Sequence, residues 1–353
     1  MFKKVLLWSL AGIAVLCAAG GLYLYSAVNR DIDEHFAGTC TDLELPGSGE
    51  DMQVDYERGY VYLSVFDRMA TAKGETPAES GRIMRVDLNA PVLTAEDALV
   101  NAPDYIRPHG ISIFIDPEGQ RHLFMINHPA DRDSGAELIE RFTEKSPGVY
   151  QYAETFSSPL ITRANDLVAT GPRQFYVAQD VAQGSGQKFT SLVYFDGDKY
   201  TAVAEDIESG GGINVSADNS LLYIAETGAK MIRIVRRNPA DGSVETVRRL
   251  QLDSAPDNIN VAEDGRLIVG AHSNLIALVM HFIIGSDAPT QVLRINALAT
   301  PPVIEEIYLN KGAQLTSGSG AVSVGDRLLI GSITDKKILV CKFDEQGAAN
   351  SGA

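Results

Sequence analysis

The chain is short of cysteine, of basic residues and of helical periodicity, and each shortage removes a class of answers. Three cysteines, Cys17, Cys40 and Cys341, are scattered over 353 residues, too few for a zinc cluster or a disulfide-stapled miniprotein, so at most one bridge forms. Lys and Arg number 30 against 46 Asp and Glu, a net charge of −16, and such a field repels phosphate backbones and excludes nucleic acid as a partner. Signatures of common chemistries are missing as well: there is no G-x-S-x-G elbow, no phosphate-cradling glycine loop and no H-E-x-x-H pair. The glycine–serine run Ser317 to Gly320 reads as a turn. What remains is a chain with 45% hydrophobic and 22% charged residues, a composition that buries a core.

One long apolar run is present. After Lys3 and Lys4, residues Val5 to Val28 carry no charge, about the 20 residues or more that a bilayer core requires. The two lysines before it, with Arg30, Asp31, Asp33 and Glu34 after it, favour an N-terminus kept in the cytoplasm and a body on the exported, periplasmic or extracellular, side. The alternative is a signal peptide cleaved near Ala18, Ala19 and Gly20, followed by secretion. Cys17 falls inside the run, which leaves Cys40 and Cys341 as the exported pair. The expected organisation is an anchor or signal segment over 1–30, a linker over 31–39, a folded body over 40–345 and a disordered tail over 346–353. No feature sets an oligomeric state.

Past Cys40 no segment carries a sustained helical period, whereas alternating runs separated by Gly, Asp, Asn and Pro recur to the end. One motif repeats six times: a short strand, a turn of Asx or glycine type, then a second apolar strand. Its copies are MQVDYERGYVYLSV from Met52, ISIFIDPEGQRHLFMI from Ile111, DLVATGPRQFYVA from Asp166, INVSADNSLLYIAE from Ile213, INVAEDGRLIVGAH from Ile259 and AVSVGDRLLIGS from Ala321. The spacing matches the blades of an all-β six-bladed propeller, although a long β-sandwich also accommodates regular hairpins. A propeller must fasten its first blade to its last. Cys40 precedes the first repeat and Cys341 follows the last, and a bridge closing so long a loop contributes at most ~5 to 6 kcal/mol by chain entropy.

If each repeat opens on the strand lining the channel, the residues just ahead of that strand, or at its first position, meet at one mouth. They are Glu50 and Asp51, His109 and Gly110, Asn165 and Asp166, and Asp257 and Asn258. Any one Asx there reads as a turn former; recurrence in several blades points instead to crowded oxygens that a hard cation relieves, calcium before magnesium. Of the six histidines, His109 and His128 bracket the second hairpin, which returns both imidazoles to the same level. His272 holds the analogous place in the fifth. His35 lies close to the apolar run, and His122 and His281 read as ordinary strand positions.

These segments resemble the paraoxonase/arylesterase family of calcium-dependent lactonases and esterases. The resemblance is carried by GSGEDMQV at 47–54, PHGISIFID at 108–116, INHP at 126–129, NDLVATGPRQFY at 165–176, GINVSADNSLLYIAE at 212–226, DNINV at 257–261, VLRI at 292–295 and LLIGS ahead of Cys341. It implies two calcium ions. A catalytic one would be held by Glu50, Asn165, Asp257 and Asn258, and a structural one by Asp51, Asp166 and the main-chain carbonyl of Ile111. It also implies a catalytic pair, His109 and His128, and a Cys40–Cys341 disulfide. One position departs: where the family carries a further asparagine ligand this chain has Gly211, and water, Ser209, Glu208 or a shifted backbone would have to replace it. The implied substrates are small lactones or aryl esters, with specificity set by rim loops such as Phe66 to Ser80 and Val181 to Thr190. Two other readings stand beside this one. The first is a non-catalytic propeller whose calcium rigidifies a surface that binds a partner. The second is an alkaloid-synthase-like or sugar-lactonase-like propeller with different chemistry.

Overall fold

The computed structural model describes residues 20–22, 25–28, 30–182 and 184–344. The part of the expected anchor before Gly20, Cys17 included, and the expected tail over 346–353 lie outside the described residues. Residues 20–22 and 25–28 are helical, and among the described residues no helix is long and apolar enough to cross a membrane.

Six sheets form the six blades of a β-propeller. The innermost strands are Ser48–Asp55, Pro108–Ile115, Ala164–Gly171, Gly210–Val215, Ala255–Val261 and Gly318–Val324, which places every repeat read from the sequence at the centre of its own blade. The turns behind them close as their composition requires. Asp55, Asp116 and Asp264 each accept a main-chain N–H within their own turn, from Arg58, Gln120 and Arg266 respectively, the Asx geometry that reverses a chain in few residues.

Burial follows radius. Among the second strands, Arg121–Asn127 and Leu267–His272 are buried at every position, because a blade is covered by a neighbour on each face. The outer strand Val244–Gln251 alternates exposed with half-buried residues and buries only Leu250. Buried apolar side chains gather between neighbouring blades: Tyr223, Ile232 and Ile234 meet Leu267, Val269 and Leu293 between blades 4 and 5, and Met52, Leu63 and Val65 meet Val322, Leu329 and Ile338 between blades 1 and 6. Each such side chain contributes roughly 1.5–3 kcal/mol of transfer free energy, so the blades hold one another in place.

The ring closes through its ends. Strand Gly38–Glu44 pairs antiparallel with Lys337–Phe343 on the outside of blade 6, with Cys40 opposite Cys341, and the two are joined in a disulfide. The segment 31–39, read above as a linker, supplies strand His35–Phe36, which adds to the edge of blade 5 beside Val303–Asn310.

Three local expectations are corrected. Leu275–Ile284 is a helix, although its near-continuous apolar sequence shows no period. The signal lay at its ends, where Asn274 caps the N-terminus and Gly285 takes the left-handed conformation with φ 72°. His281 therefore sits on this helix and not on a strand, buried, with its ring nitrogens near Ser286 O and Thr334 Oγ1. Ser317 to Gly320 is no surface turn: Ser317 leads into the inner strand of blade 6, and both it and Ser319 are fully buried.

Candidate functional site

All six inner strands break register at the same level, between Gly49 and Met52, Pro108 and Ile111, Ala164 and Asp166, Gly210 and Ile213, Pro256 and Ile259, and Gly318 and Ala321. A bulge of this kind leaves residues out of the ladder and re-aims their side chains. Here it turns Glu50, His109, Asn165, Gly211, Asp257 and Ser319 to one ring, and Asp51, Gly110, Asp166, Gly212, Asn258 and Gly320 to the next. The residues singled out from the sequence are thereby brought together, and the reason they recur is a backbone device repeated in every blade.

In the second ring, side chains and glycines alternate, and the alternation is steric. A Cβ on Gly110 would lie 2.4 Å from Asp166 Oδ1 and 2.5 Å from Asp166 Cα. One on Gly212 would lie 2.6 Å from Asn258 Cα, and one on Gly320 would lie 3.3 Å from Asn258 Cβ. The channel has room for three side chains at this depth. Asp51 Oδ2 accepts the main-chain N–H of Ile111 at 2.8 Å, and Asp166 Oδ2 accepts that of Ile213 at 2.7 Å, so each aspartate also ties its blade to the next.

Glu50, Asp51 and Asp166 are at most 2% exposed and Asp257 9%. Burial pushes the Asp51 carboxyl well above the usual carboxylate range, and the charges of Asp166 and Glu50 push it further. Burial does the same to Asp166, against the hydrogen bonds from Ile213 and Leu167, with Glu50 and Asp257 adding repulsion. Arg68 faces the cluster: its guanidinium donates to Ser48 O and Pro108 O and lies 3.9 Å from Glu50 Oε2. Asp257 is held by His272, whose Nε2 stands 2.9 Å from Asp257 Oδ2.

Two acceptors in the first ring, Glu50 Oε2 and Asn165 Oδ1, are buried with no hydrogen-bond partner. Unsatisfied oxygens beside surplus negative charge are a donor set that fits a hard cation. Among the described residues no three His, Cys, Asp or Glu side chains form a metal cluster by themselves; the candidate donors are a mixture of carboxylate, carboxamide and main-chain oxygen. At the position of the departure, Gly211 lies outside the left-handed region, and a Cβ there would meet Thr227 Oγ1 at 2.6 Å and Asp257 O at 3.5 Å. The Thr227 hydroxyl, which donates to Pro256 O, thus fills much of the space a side chain at 211 would take. Glu208, considered as a substitute, is paired with Lys188.

Beside the oxygens the rings of His109 and His128 lie 4.7 Å apart, tilted by 43°. His109 Nδ1 faces Glu50 Oε2 at 3.7 Å, while His128 Nδ1 is 2.7 Å from Glu137 Oε2. Burial holds both imidazoles well below the usual histidine range; the Glu50 charge opposes it at His109, and the Arg132 charge adds to it at His128. Neutral imidazoles next to a polarised carbonyl can accept a proton from water. Arg68, Glu137 and Thr227 were not found from the sequence, because none belongs to the repeated motif. A cleft of ≈ 370 Å³ lined by Phe66, Asp67, Pro77 and Lys336 flanks the rim loop expected to shape specificity.

Residues 52–343 match the arylesterase family. The chain is 29% identical to serum paraoxonase/arylesterase 2 of Gallus gallus over 351 residues, covering 94% of this chain and 97% of that one. It is 29% identical to serum paraoxonase/lactonase 3 of Mus musculus over 329 residues, covering 88% and 91%. Among solved structures it resembles the Malassezia sympodialis allergen Mala s 1 with a TM-score of 0.57 at 11% identity, over 86% of this chain and 96% of that one, a likeness of fold alone. With the match spanning nearly the whole propeller, the chain belongs to the arylesterase family.

Proposed function

We propose that this chain is a calcium-dependent hydrolase of ester bonds, acting on small lactones and aryl esters at the bulged mouth of the channel. The observation that carries the reading is the pair of unsatisfied buried acceptors, Glu50 Oε2 and Asn165 Oδ1, the first of them 3.7 Å from His109 Nδ1. Glu50, Asn165, Asp257 and Asn258 would hold the catalytic ion, with the Thr227 hydroxyl nearest the gap at Gly211. Asp51, Asp166 and the Ile111 carbonyl would hold the structural one. Bound calcium supplies Lewis-acid polarisation of the carbonyl and a counter-charge for the developing oxyanion.

The protein's own residues do the rest. His109, uncharged at neutral pH, takes a proton from the attacking water, and His128 beside it shares that load. The hydroxide adds to the carbonyl carbon, the bond to the leaving oxygen breaks, and the proton returns to that oxygen, giving a hydroxy acid from a lactone or an acid and a phenol from an aryl ester. The placement proposed is an N-terminal anchor with the propeller on the exported side, supported by the uncharged run Val5 to Val28 and by a disulfide that suits an oxidising compartment.

The test is hydrolysis of γ- and δ-lactones and phenyl acetate by purified protein with calcium, with chelator, and as His109→Gln. Activity lost on chelation, regained with calcium and cut by roughly 10²-fold or more in His109→Gln is expected. Undiminished hydrolysis in chelator and in His109→Gln would contradict it, and calcium binding with no hydrolysis would favour the binding propeller.

A further inference from the structure

Glu137 closes the loop that leaves blade 2 at His128 and returns one residue before strand Leu138–Ser146. Its side chain is fully buried, and nothing in the repeated motif requires an acid there. It has two partners. Oε2 is 2.7 Å from His128 Nδ1, and Oε1 accepts from Arg132 Nε at 2.9 Å. Arg132 is itself anchored to blade 3: its other nitrogens donate to Asp180 Oδ2 at 3.0 Å and to Ala164 O at 2.7 Å, one residue before Asn165. Arg163 Nε donates to the second oxygen of Asp180 at 2.7 Å. The carboxylate is therefore fixed in place by a chain of charged hydrogen bonds, a rigid arrangement that holds its partner as firmly as itself.

An ionised carboxylate can only accept, so the ring nitrogen that faces Glu137 must carry the proton. That leaves the lone pair of His128 on Nε2, and His128 Nε2 is buried with no hydrogen-bond partner among the described residues. A buried imidazole nitrogen without a donor is an unmet demand of the kind that substrate or water satisfies. We propose that Glu137 is a positioning residue: it fixes His128 as the Nδ1–H tautomer and presents Nε2 as a free base at the channel mouth. This rests on the hydrolase reading of the histidine pair. The competing role for Glu137 is to neutralise Arg132, which would leave the tautomer of His128 to other neighbours.

The two roles separate in Glu137→Gln. The charged Arg132 Nε–H takes the amide oxygen, so the amide NH₂ faces His128 Nδ1 and forces it to accept, moving the proton to Nε2 with the shape of the site preserved. Nitrogen-15 NMR of the histidine rings reads the tautomer directly, first in wild-type protein, where no variant has to fold. Expected are a protonated Nδ1 and bare Nε2 for His128 in wild type, their exchange in Glu137→Gln, and a fall in kcat of roughly 10²–10⁴-fold with little change in KM or Tm. Glu137→Asp, which keeps the charge, should recover part of that loss.

A wild-type His128 protonated on Nε2 would overturn the proposal. So would a folded Glu137→Gln whose kcat stays within about threefold of wild type. His128→Gln distinguishes the levels of failure. If it is inactive while Glu137→Gln is not, only the positioning role falls; if hydrolysis survives His128→Gln as well, the reading of the histidine pair falls with it.

Discussion

Blades 1, 3 and 5 differ from blades 2, 4 and 6 most plainly at one depth of the channel. The odd blades place Asp51, Asp166 and Asn258 after their bulge, and the even blades place Gly110, Gly212 and Gly320 there. The backbone does the same thing six times, so the difference is one of space: a side chain on every blade would overfill the axis, and Gly110 already has the Asp166 carboxylate where its Cβ would be. The lesson is that the repeat is threefold in chemistry although sixfold in fold. Odd blades bring charge and oxygen, while even blades yield room and, at Ile111 and Ile213, main-chain donors for their neighbours' aspartates.

The largest expected effect comes from breaking this division. Gly110→Ala drives a methyl into Asp166 Cα as well as its carboxylate; main chain cannot step aside cheaply, and overpacking of this kind destabilises by about 1–3 kcal/mol or more. Thermal melting should show a large fall in Tm together with a lost response to calcium. An alanine at 110 tolerated without loss would mean that the two rings are not packed as described.

Removing charge from an odd blade comes next. Both oxygens of Asp166 accept main-chain N–H groups, from Leu167 and Ile213, so in Asp166→Asn one amide donor faces another. The loss should be about 1–3 kcal/mol, and the stabilisation by calcium should shrink in the same variant. Equal calcium responses before and after the change would remove Asp166 from the structural site.

A pH series sharpens the same point without mutation. Asp51 and Asp166 hold protons more tightly when folded than when unfolded. Above the ordinary aspartate range the unfolded chain has released protons that the folded chain keeps, so calcium-free protein loses stability as pH rises. Below that range the penalty is absent. The gain in Tm on adding calcium should therefore grow from about pH 5 to about pH 8, and a gain that shrank with pH would have the wrong sign.

The smallest effect is expected at Gly211, an even-blade position in the other ring. Its backbone lies outside the left-handed region, and the close contact is the Thr227 hydroxyl rather than main chain, so a side chain there displaces that hydroxyl at the cost of its bond to Pro256 O. Gly211→Asn should fold with a slightly lowered Tm and tighten calcium by a few-fold, measured by competition with a chromophoric chelator. Weaker calcium binding would mean that the Thr227 hydroxyl already serves there and has been displaced.

Much of this architecture was legible in the chain because it rests on local rules. Period-two alternation and Asx turns exposed all six hairpins, and the positions of Cys40 and Cys341 announced ring closure. The acidic residues were also readable, since they recur at one offset from the inner strands, and so was the His109–His128 pair, since it brackets one hairpin. What could not be read is tertiary. A bulge looks like two ordinary strand residues until the partner strand is in place. Glu137 and Thr227 reach the site from connections between strands, and Arg68 from the first residue of the short helix Arg68–Ala72. The helix Leu275–Ile284 was missed because an apolar run covered on one side and exposed on the other shows no period when both sides are apolar.

Calcium titration of chelator-stripped protein by calorimetry, with phenyl acetate and lactone hydrolysis read on the same samples, bears most directly on the central claim that the odd-blade oxygens hold the ions on which catalysis depends. Two ions per chain are expected, with hydrolysis returning as the second set of heats saturates. Protein that binds no calcium at any concentration and still hydrolyses both substrates would contradict it.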